Sequence, residues 1–393
     1  MQLGAKINLV ICQKSKVDDW VDHFNEYYST DFLIFDLTNK TDLEAFMSYQ
    51  EQEEPFERIG VINYDLIWRR KELLQLRDFT LMLDESSLIQ NPGAQRTKFI
   101  MKMEPANIIL LSGTPTGGKY ENLLTQMNLL GWKISEKIFW SQYVDWEWNE
   151  TQDGYWQKKI LGYKNEERLK RKMRQHGCQF LKTEEVFDLP AQIDQKIKIP
   201  ASKEYLKFRK NDYLEAFDQE FIGDTILNKM LRERQLCGQY NDDKLSAFQD
   251  LLRETEDRII VFYNFTDELN KLMNLADGVD KPISIVNGQE KTLECYEEYS
   301  NSVTLIQFQA GAMGLNLQKA NKVIYFSPPL SSELFEQSKK RIHRLGQDKP
   351  CFYYYLVCKN SIEEKIYKTL AMRRDYTEAL FEQEEANGGR EKS

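Results

Sequence analysis

Metal-ligand spacing is missing from this 393-residue chain. Its six cysteines, Cys12, Cys178, Cys237, Cys295, Cys351 and Cys358, form no C-x-x-C pair and, with only three histidines, make no zinc-like cluster. Isolated reduced thiols of a cytosolic protein fit that pattern. No apolar run approaches the roughly 18 to 20 residues of a membrane span, and the segment from Met1 to Lys6 lacks the layout of a secretory signal. These absences place the chain in the cytoplasm with no membrane partner. Positive charge is not in surplus either: 53 Lys and Arg face 62 Asp and Glu, a net charge of −9. The surface as a whole is therefore no polyanion-binding face, although screening over about 8–10 Å leaves room for a local one. What is present is 41% hydrophobic and 12% aromatic content, enough for large cores in two or three domains.

Short apolar runs alternate with stretches at helical spacing. Ile7–Cys12, Asp31–Asp36, Arg58–Asn63, Phe79–Leu83 and Asn107–Leu111 read as buried strands, with helices predicted after Val17 and from Tyr64 to Leu76. The passage from Leu181 through Leu189-Pro190 into Gln192–Ile199 reads as an extended interdomain crossing. Beyond it the alternation resumes, with helices at 202–218, 225–239, 244–254, 265–273 and 361–381 and strands at 258–263, 283–286, 303–307, 322–326 and 351–357. Strands alternating with helices at this pitch predict parallel sheets covered on both faces, an α/β fold.

In open parallel sheets, ligands sit beyond the carboxyl ends of strands, and several predicted strand ends carry polar residues. Asp84-Glu85-Ser86-Ser87 follows one strand. One carboxylate there suits Mg²⁺ and the other an attacking water, while the competing reading is a helix N-cap. Ser112-Gly113-Thr114-Pro115 follows the next strand; its hydroxyls are placed to bond the acidic pair and sense phosphate, or the turn is ordinary punctuation. Ala310-Gly311-Ala312-Met313-Gly314-Leu315-Asn316-Leu317 opens another helix, serving either phosphate and ribose or tight packing. In Gln337–Gln347, Arg341 and Arg344 stand three apart on a predicted helix ended by Gly346, so both guanidinium groups address one anion or simply face water.

Two further stretches stay open between readings. From Trp132 to Tyr163 aromatics are dense, with Trp140, Trp146, Trp148, Tyr155 and Trp156 suited to stacking on unpaired bases or to packing on one another. Lys164–Arg174 is the most basic segment, fit for a nucleic-acid backbone or for a solvated helix face.

Taken in order, these motifs resemble the superfamily two helicase-like ATPases of the Swi/Snf type, including compact bacteriophage members. Leu83–Ser87 resembles Walker B in a DESS form, and Ser112–Pro115 the third motif. Val10–Ser15 with Trp20 resembles motif Ia, with Gln13 in place of the usual proline, and Asn63-Tyr64-Asp65 the motif before Walker B. Lys182–Val186 with Leu189-Pro190 resembles the join between lobes, Ala310–Leu317 motif V, and Gln337–Gln347 motif VI.

The resemblance covers nearly the whole chain and implies two RecA-like lobes in tandem, residues 1–190 and 191–393, with ATP between them. It implies that Asp84 holds Mg²⁺ and Glu85 orients water. Arg344 and Arg341 meet the developing phosphate charge, and Ser112, Thr114, Gly314, Asn316 and Gln347 complete the ATP site. It also implies a nucleic-acid face, DNA foremost, on Lys14, Ser15, Tyr64, Gln309 and Ala310. The implied activity is nucleic-acid-dependent ATP hydrolysis by a helicase or translocase in a bacterial cell; a catalytically silent nucleic-acid- or partner-binding module is the alternative.

One departure stands out. No G-x-x-x-x-G-K-[ST] occurs; Gly113–Tyr120 comes closest, but Tyr120 stands where the Mg²⁺-binding hydroxyl belongs. The family's phosphate loop precedes motif Ia, where this chain starts. The first lobe is therefore expected to be N-terminally truncated: a late start, a split gene or one half of a two-chain ATPase. Its sheet is expected to carry an open strand edge.

Overall fold

The computed structural model describes residues 5–48, 57–150, 155–179, 188–311 and 315–381. One unit contains Met1–Phe180 and the other Leu181–Arg374. Each is an α/β body, as the alternation predicts.

The first unit is built on five parallel strands, β1 (Ile7–Cys12), β2 (Phe32–Asp36), β3 (Glu57–Asn63), β4 (Phe79–Asp84) and β5 (Asn107–Leu111), in the order β2-β3-β1-β4-β5. Side chains alternate across β1: Ile7, Leu9 and Ile11 join one core cluster, Val10 and Cys12 another on the opposite face. Helices such as Val17–Tyr28 and Lys40–Ser48 cover these faces. Two elements differ from expectation. The stretch from Tyr64 to Leu76 is one helical turn, Tyr64–Ile67, and a 3₁₀ segment, Lys71–Gln75. β5, although wholly apolar after its first residue, is an edge strand whose residues are only partly covered, with Leu111 40% exposed.

The aromatic stretch after Trp132 is a helix, Glu136–Tyr143, and an antiparallel hairpin, β6 (Val144–Glu150) and β7 (Trp156–Tyr163). Its inner residues share a separate cluster with the helix Glu166–Gln175, through Tyr143, Val144, Leu169 and Met173.

The second unit carries β8 (Gln192–Ile199), the short hairpin β9 (Tyr213–Ala216) and β10 (Gln219–Ile222), and β11 (Ile259–Tyr263), β12 (Ile283–Val286), β13 (Val303–Gln307), β14 (Lys322–Tyr325) and β15 (Cys351–Cys358). Its six-stranded sheet is parallel, in the order β12-β13-β11-β14-β15-β8. Of the passage read as a crossing, Gln192–Ile199 is an eight-residue edge strand paired along all of β15, and residues 181–187 lie outside the described residues. The helix expected over 202–218 ends at Asn211, because Asp212, Phe217 and Asp218 adopt positive φ and turn the chain into β9–β10. Side-chain caps at Ser202, Thr225 and Asn241 start the surrounding helices.

Beneath this sheet Lys244 and Glu363 form a fully buried ion pair at 2.6 Å. The other carboxylate oxygen of Glu363 accepts from the Cys358 amide at 3.0 Å, tying the helix Asp242–Arg253 to the end of β15. Both charges are compensated, and removing one strands the other. Lys244→Met is expected to destabilise the unit by about 3–5 kcal/mol, with Lys244→Met/Glu363→Leu recovering most of the loss, read by urea denaturation.

Candidate functional site

The end of β4 determines the geometry of the first unit's site. Glu85 adopts the left-handed region, φ 58° and ψ 58°, uncommon for a residue with a Cβ. The turn is held from several sides. Tyr64, 2% exposed, donates its hydroxyl to the Asp84 carbonyl at 3.0 Å. Trp20 donates its indole N–H to Asp84 Oδ2 at 2.9 Å. Ser87 and Ser112 each donate to Glu85 Oε1 at 2.8 Å.

The two hydroxyl-bearing turns therefore meet at the acidic pair. Glu85 precedes the 3₁₀ helix Ser86–Ile89 without capping it through its side chain, so the N-cap reading is not what the turn does. Gln126 completes the link between the turns: its Oε1 accepts from Ser86 Oγ at 2.9 Å, and its Nε2 donates to the Pro115 carbonyl at 2.8 Å.

The donor set fits a hard, hydrated divalent cation. Asp84 Oδ1 has no hydrogen-bond partner among the described residues, and its neighbour Oδ2 is held in place by Trp20. Thr114 Oγ1, on the adjacent turn, is buried without a partner among the described residues. Burial, then the charges of Asp84 and Glu85, hold the Tyr64 phenol well above its usual pKa, which keeps it a neutral donor.

The second unit brings together another set. The helix Ser332–Lys339 stops before the arginines; Arg341 and Arg344 lie in the irregular turns after it, so their spacing is not that of a helix face. The last helical residue, Lys339, turns inward: its ammonium lies 2.9 Å from Asp194 and within 5.0–5.7 Å of the rings of Phe335, Tyr353 and Tyr355. Gly346, at φ 90°, closes a turn in which the Gln347 amide donates to the Arg344 carbonyl at 3.0 Å.

Arg344, half-buried, donates to the side chain of Asn316, and no carboxylate pairs with it among the described residues. The Leu317 amide donates to the Arg341 carbonyl at 3.2 Å, joining the two turns. Gly314 lies outside the described residues.

Several sequence-predicted residues point elsewhere. Tyr64 faces the acidic turn, not the solvent where nucleic acid would lie. Ala310 is 2% exposed within the apolar core, while Gln309 beside it is exposed. Gln347 is turned inward, its Nε2 donating to the Gln318 and Ala320 carbonyls at 3.1 and 2.7 Å, a brace and not a free amide for ATP. Lys14 and Ser15 are exposed on a 3₁₀ turn directly before the helix bearing Trp20. Sequence reasoning missed Gln126 and Asp194, which no local pattern marks; for Ser86 and Ser87 the DESS run was the available signal.

The description of an SNF2-related domain matches residues 3–242, more than half of the chain, and that of a helicase conserved C-terminal domain matches residues 243–346. The chain belongs to the SNF2-related family.

Among SNF2 relatives, the SWI/SNF-related matrix-associated actin-dependent regulator of chromatin subfamily A member 1 of Mus musculus is 22% identical over 91% of this chain and 37% of its own length. An ATP-dependent helicase of Mycoplasma genitalium is 24% identical over 78% of this chain and 31% of its own. The chain thus spans about a third of the length of these relatives. The solved SWI2/SNF2 ATPase core of Sulfolobus solfataricus with double-stranded DNA aligns over 98% of this chain and 83% of that one, at 18% identity and a TM-score of 0.39.

Gln126→Leu leaves the Ser86 hydroxyl without its acceptor, while the Pro115 carbonyl keeps Gln90 as a donor at 3.4 Å. It is expected to cost about 1–3 kcal/mol of stability in chemical denaturation, the penalty of one buried polar group left unpaired.

Proposed function

We propose that this chain is the ATPase core of a nucleic-acid-dependent translocase or helicase of the SNF2 type, with residues 1–190 as its first RecA-like lobe and 191–393 as its second. The observation that carries the reading is the acidic turn. A strained glutamate, fixed by two hydroxyls beside an aspartate with an unused oxygen, is costly to maintain without chemistry to serve.

In this reading the chain binds ATP, and Asp84 would hold Mg²⁺. Held there, the cation would supply positive charge against the phosphate charge that develops. Glu85 orients the attacking water, its side chain kept in position by Ser87 and Ser112. Thr114 supplies its unsatisfied hydroxyl to the phosphate end. Arg344, steadied by Asn316 and paired with no carboxylate among the described residues, meets the negative charge of the transferring group, with Arg341 beside it in sequence. The glycine-rich cradle for the β- and γ-phosphates is left to a loop that these 393 residues do not contain, carried by another segment or another chain.

Lys14, Ser15 and Gln309, all exposed, form the nucleic-acid contacts, DNA being the substrate favoured by the family. The cytoplasm of a bacterial cell, with a phage gene as one source, suits six cysteines of which none forms a disulfide. No helix among the described residues is long and apolar enough to cross a membrane.

ATP turnover by the full gene product, with and without DNA, tests the reading. DNA is expected to stimulate hydrolysis. Arg344→Ala is expected to lower turnover about 10³-fold while nucleotide binding stays nearly unchanged, and turnover equal to wild type would reject the arginine's role.

A further inference from the structure

The β6–β7 hairpin holds none of the residues assigned above. In its antiparallel register Trp146 lies opposite Ile160, Trp148 opposite Lys158, and Glu150 opposite Trp156, so these six side chains share one face. The inner half of that face is spent on packing. Trp146 meets Trp140 edge-on at 6.2 Å, and the Lys158 ammonium lies 4.3 Å from the Trp140 ring centroid and 5.0 Å from that of Trp146. The outer half is not. Trp148 is 57% and Trp156 63% exposed, although indoles are among the side chains that gain most from burial.

Three observations say what such a face fits. Trp148 and Trp156 are diagonal neighbours across the two strands, a separation of roughly 7–8 Å, which is close to twice the ~3.4 Å rise per nucleotide of a stacked strand. An edge-on contact with Trp146 at 5.4 Å props Trp148 outward. The charge is also of the right sign: residues 132–179 hold ten Lys and Arg against seven Asp and Glu, a surplus of three in a chain whose net charge is −9. Part of that surplus is displayed by Arg168 and Arg171, exposed on the helix Glu166–Gln175, whose Leu169 and Met173 share a core with Val144 of β6.

We propose that the outer hairpin face is a stacking platform for unpaired bases, with Trp148 and Trp156 as its rings and Arg168 and Arg171 taking the flanking phosphates. The platform rests on the nucleic-acid reading above and adds single-stranded segments to what the chain grips.

The experiment titrates the full chain with a single-stranded oligothymidylate and with a duplex of equal length, following tryptophan emission and the anisotropy of the labelled strand. The single strand is expected to quench the indoles. Trp148→Ala and Trp156→Ala are each expected to weaken single-strand binding about tenfold while duplex affinity holds, and Trp148→Phe/Trp156→Phe to retain most of it. Both rings are exposed, so the alanine variants are expected to melt with the wild type, which separates lost stacking from lost folding. Equal single-strand binding by Trp148→Ala/Trp156→Ala overturns the platform alone, as does wild-type protein that binds only duplex. Wild-type protein that binds neither form overturns the platform and the nucleic-acid reading together. Loss of self-association in place of strand binding overturns the platform in favour of a contact between copies.

Discussion

A glutamate held in the left-handed region costs of the order of 1–3 kcal/mol and persists only where its surroundings over-determine it. At Glu85 they do so from both sides of the backbone: Tyr64 grips the preceding carbonyl, and Ser87 and Ser112 grip the side chain. Much of the first unit's polar design follows from that turn. Tyr64 must be buried to reach it, Ser112 must end its strand beside it, and Gln126 must span the two turns that meet there. The parallel sheet supplies the placement, because adjacent strands in register deliver β4 and β5 to the same edge.

The second unit solves a similar problem with a cation turned inward. At the end of its helix Lys339 is turned in to Asp194 and a wall of aromatic rings, and the irregular turns that carry Arg341 and Arg344 follow. Gln347 then fastens those turns to the segment around Gln318 and Ala320. Arg344 is held in those turns by the side chain of Asn316, with no carboxylate paired to it among the described residues.

The parallel sheets were legible in the sequence because each strand is a short apolar run with turn residues at its carboxyl end, and the order of those ends marked the acidic and hydroxyl turns. The inward residues were not legible. Spacing cannot tell whether Tyr64 points to solvent or to a backbone carbonyl, or whether the amide of Gln347 is free, since both depend on partners far away in sequence. Arg341 and Arg344 were placed on a helix because local periodicity continues through them; the partner to which Lys339 turns at the helix end, Asp194, lies 145 residues earlier. The aromatic stretch held both of its readings at once. Trp132, Trp140 and Trp146 pack on their own cluster, whereas Trp148 and Trp156 do not, a division set by the pairing of two strands that only the fold defines.

The hydrogen bond from Trp20 to Asp84 carries an optical consequence. Indole emission responds to the charge and polarity around the ring, and this indole donates directly to the carboxylate best placed to take up a cation. Trp20 also lies one turn into the helix that begins just after Lys14 and Ser15. It is therefore a built-in spectroscopic reporter, placed where both the loading of the acidic turn and a pull on that surface segment would register in its light.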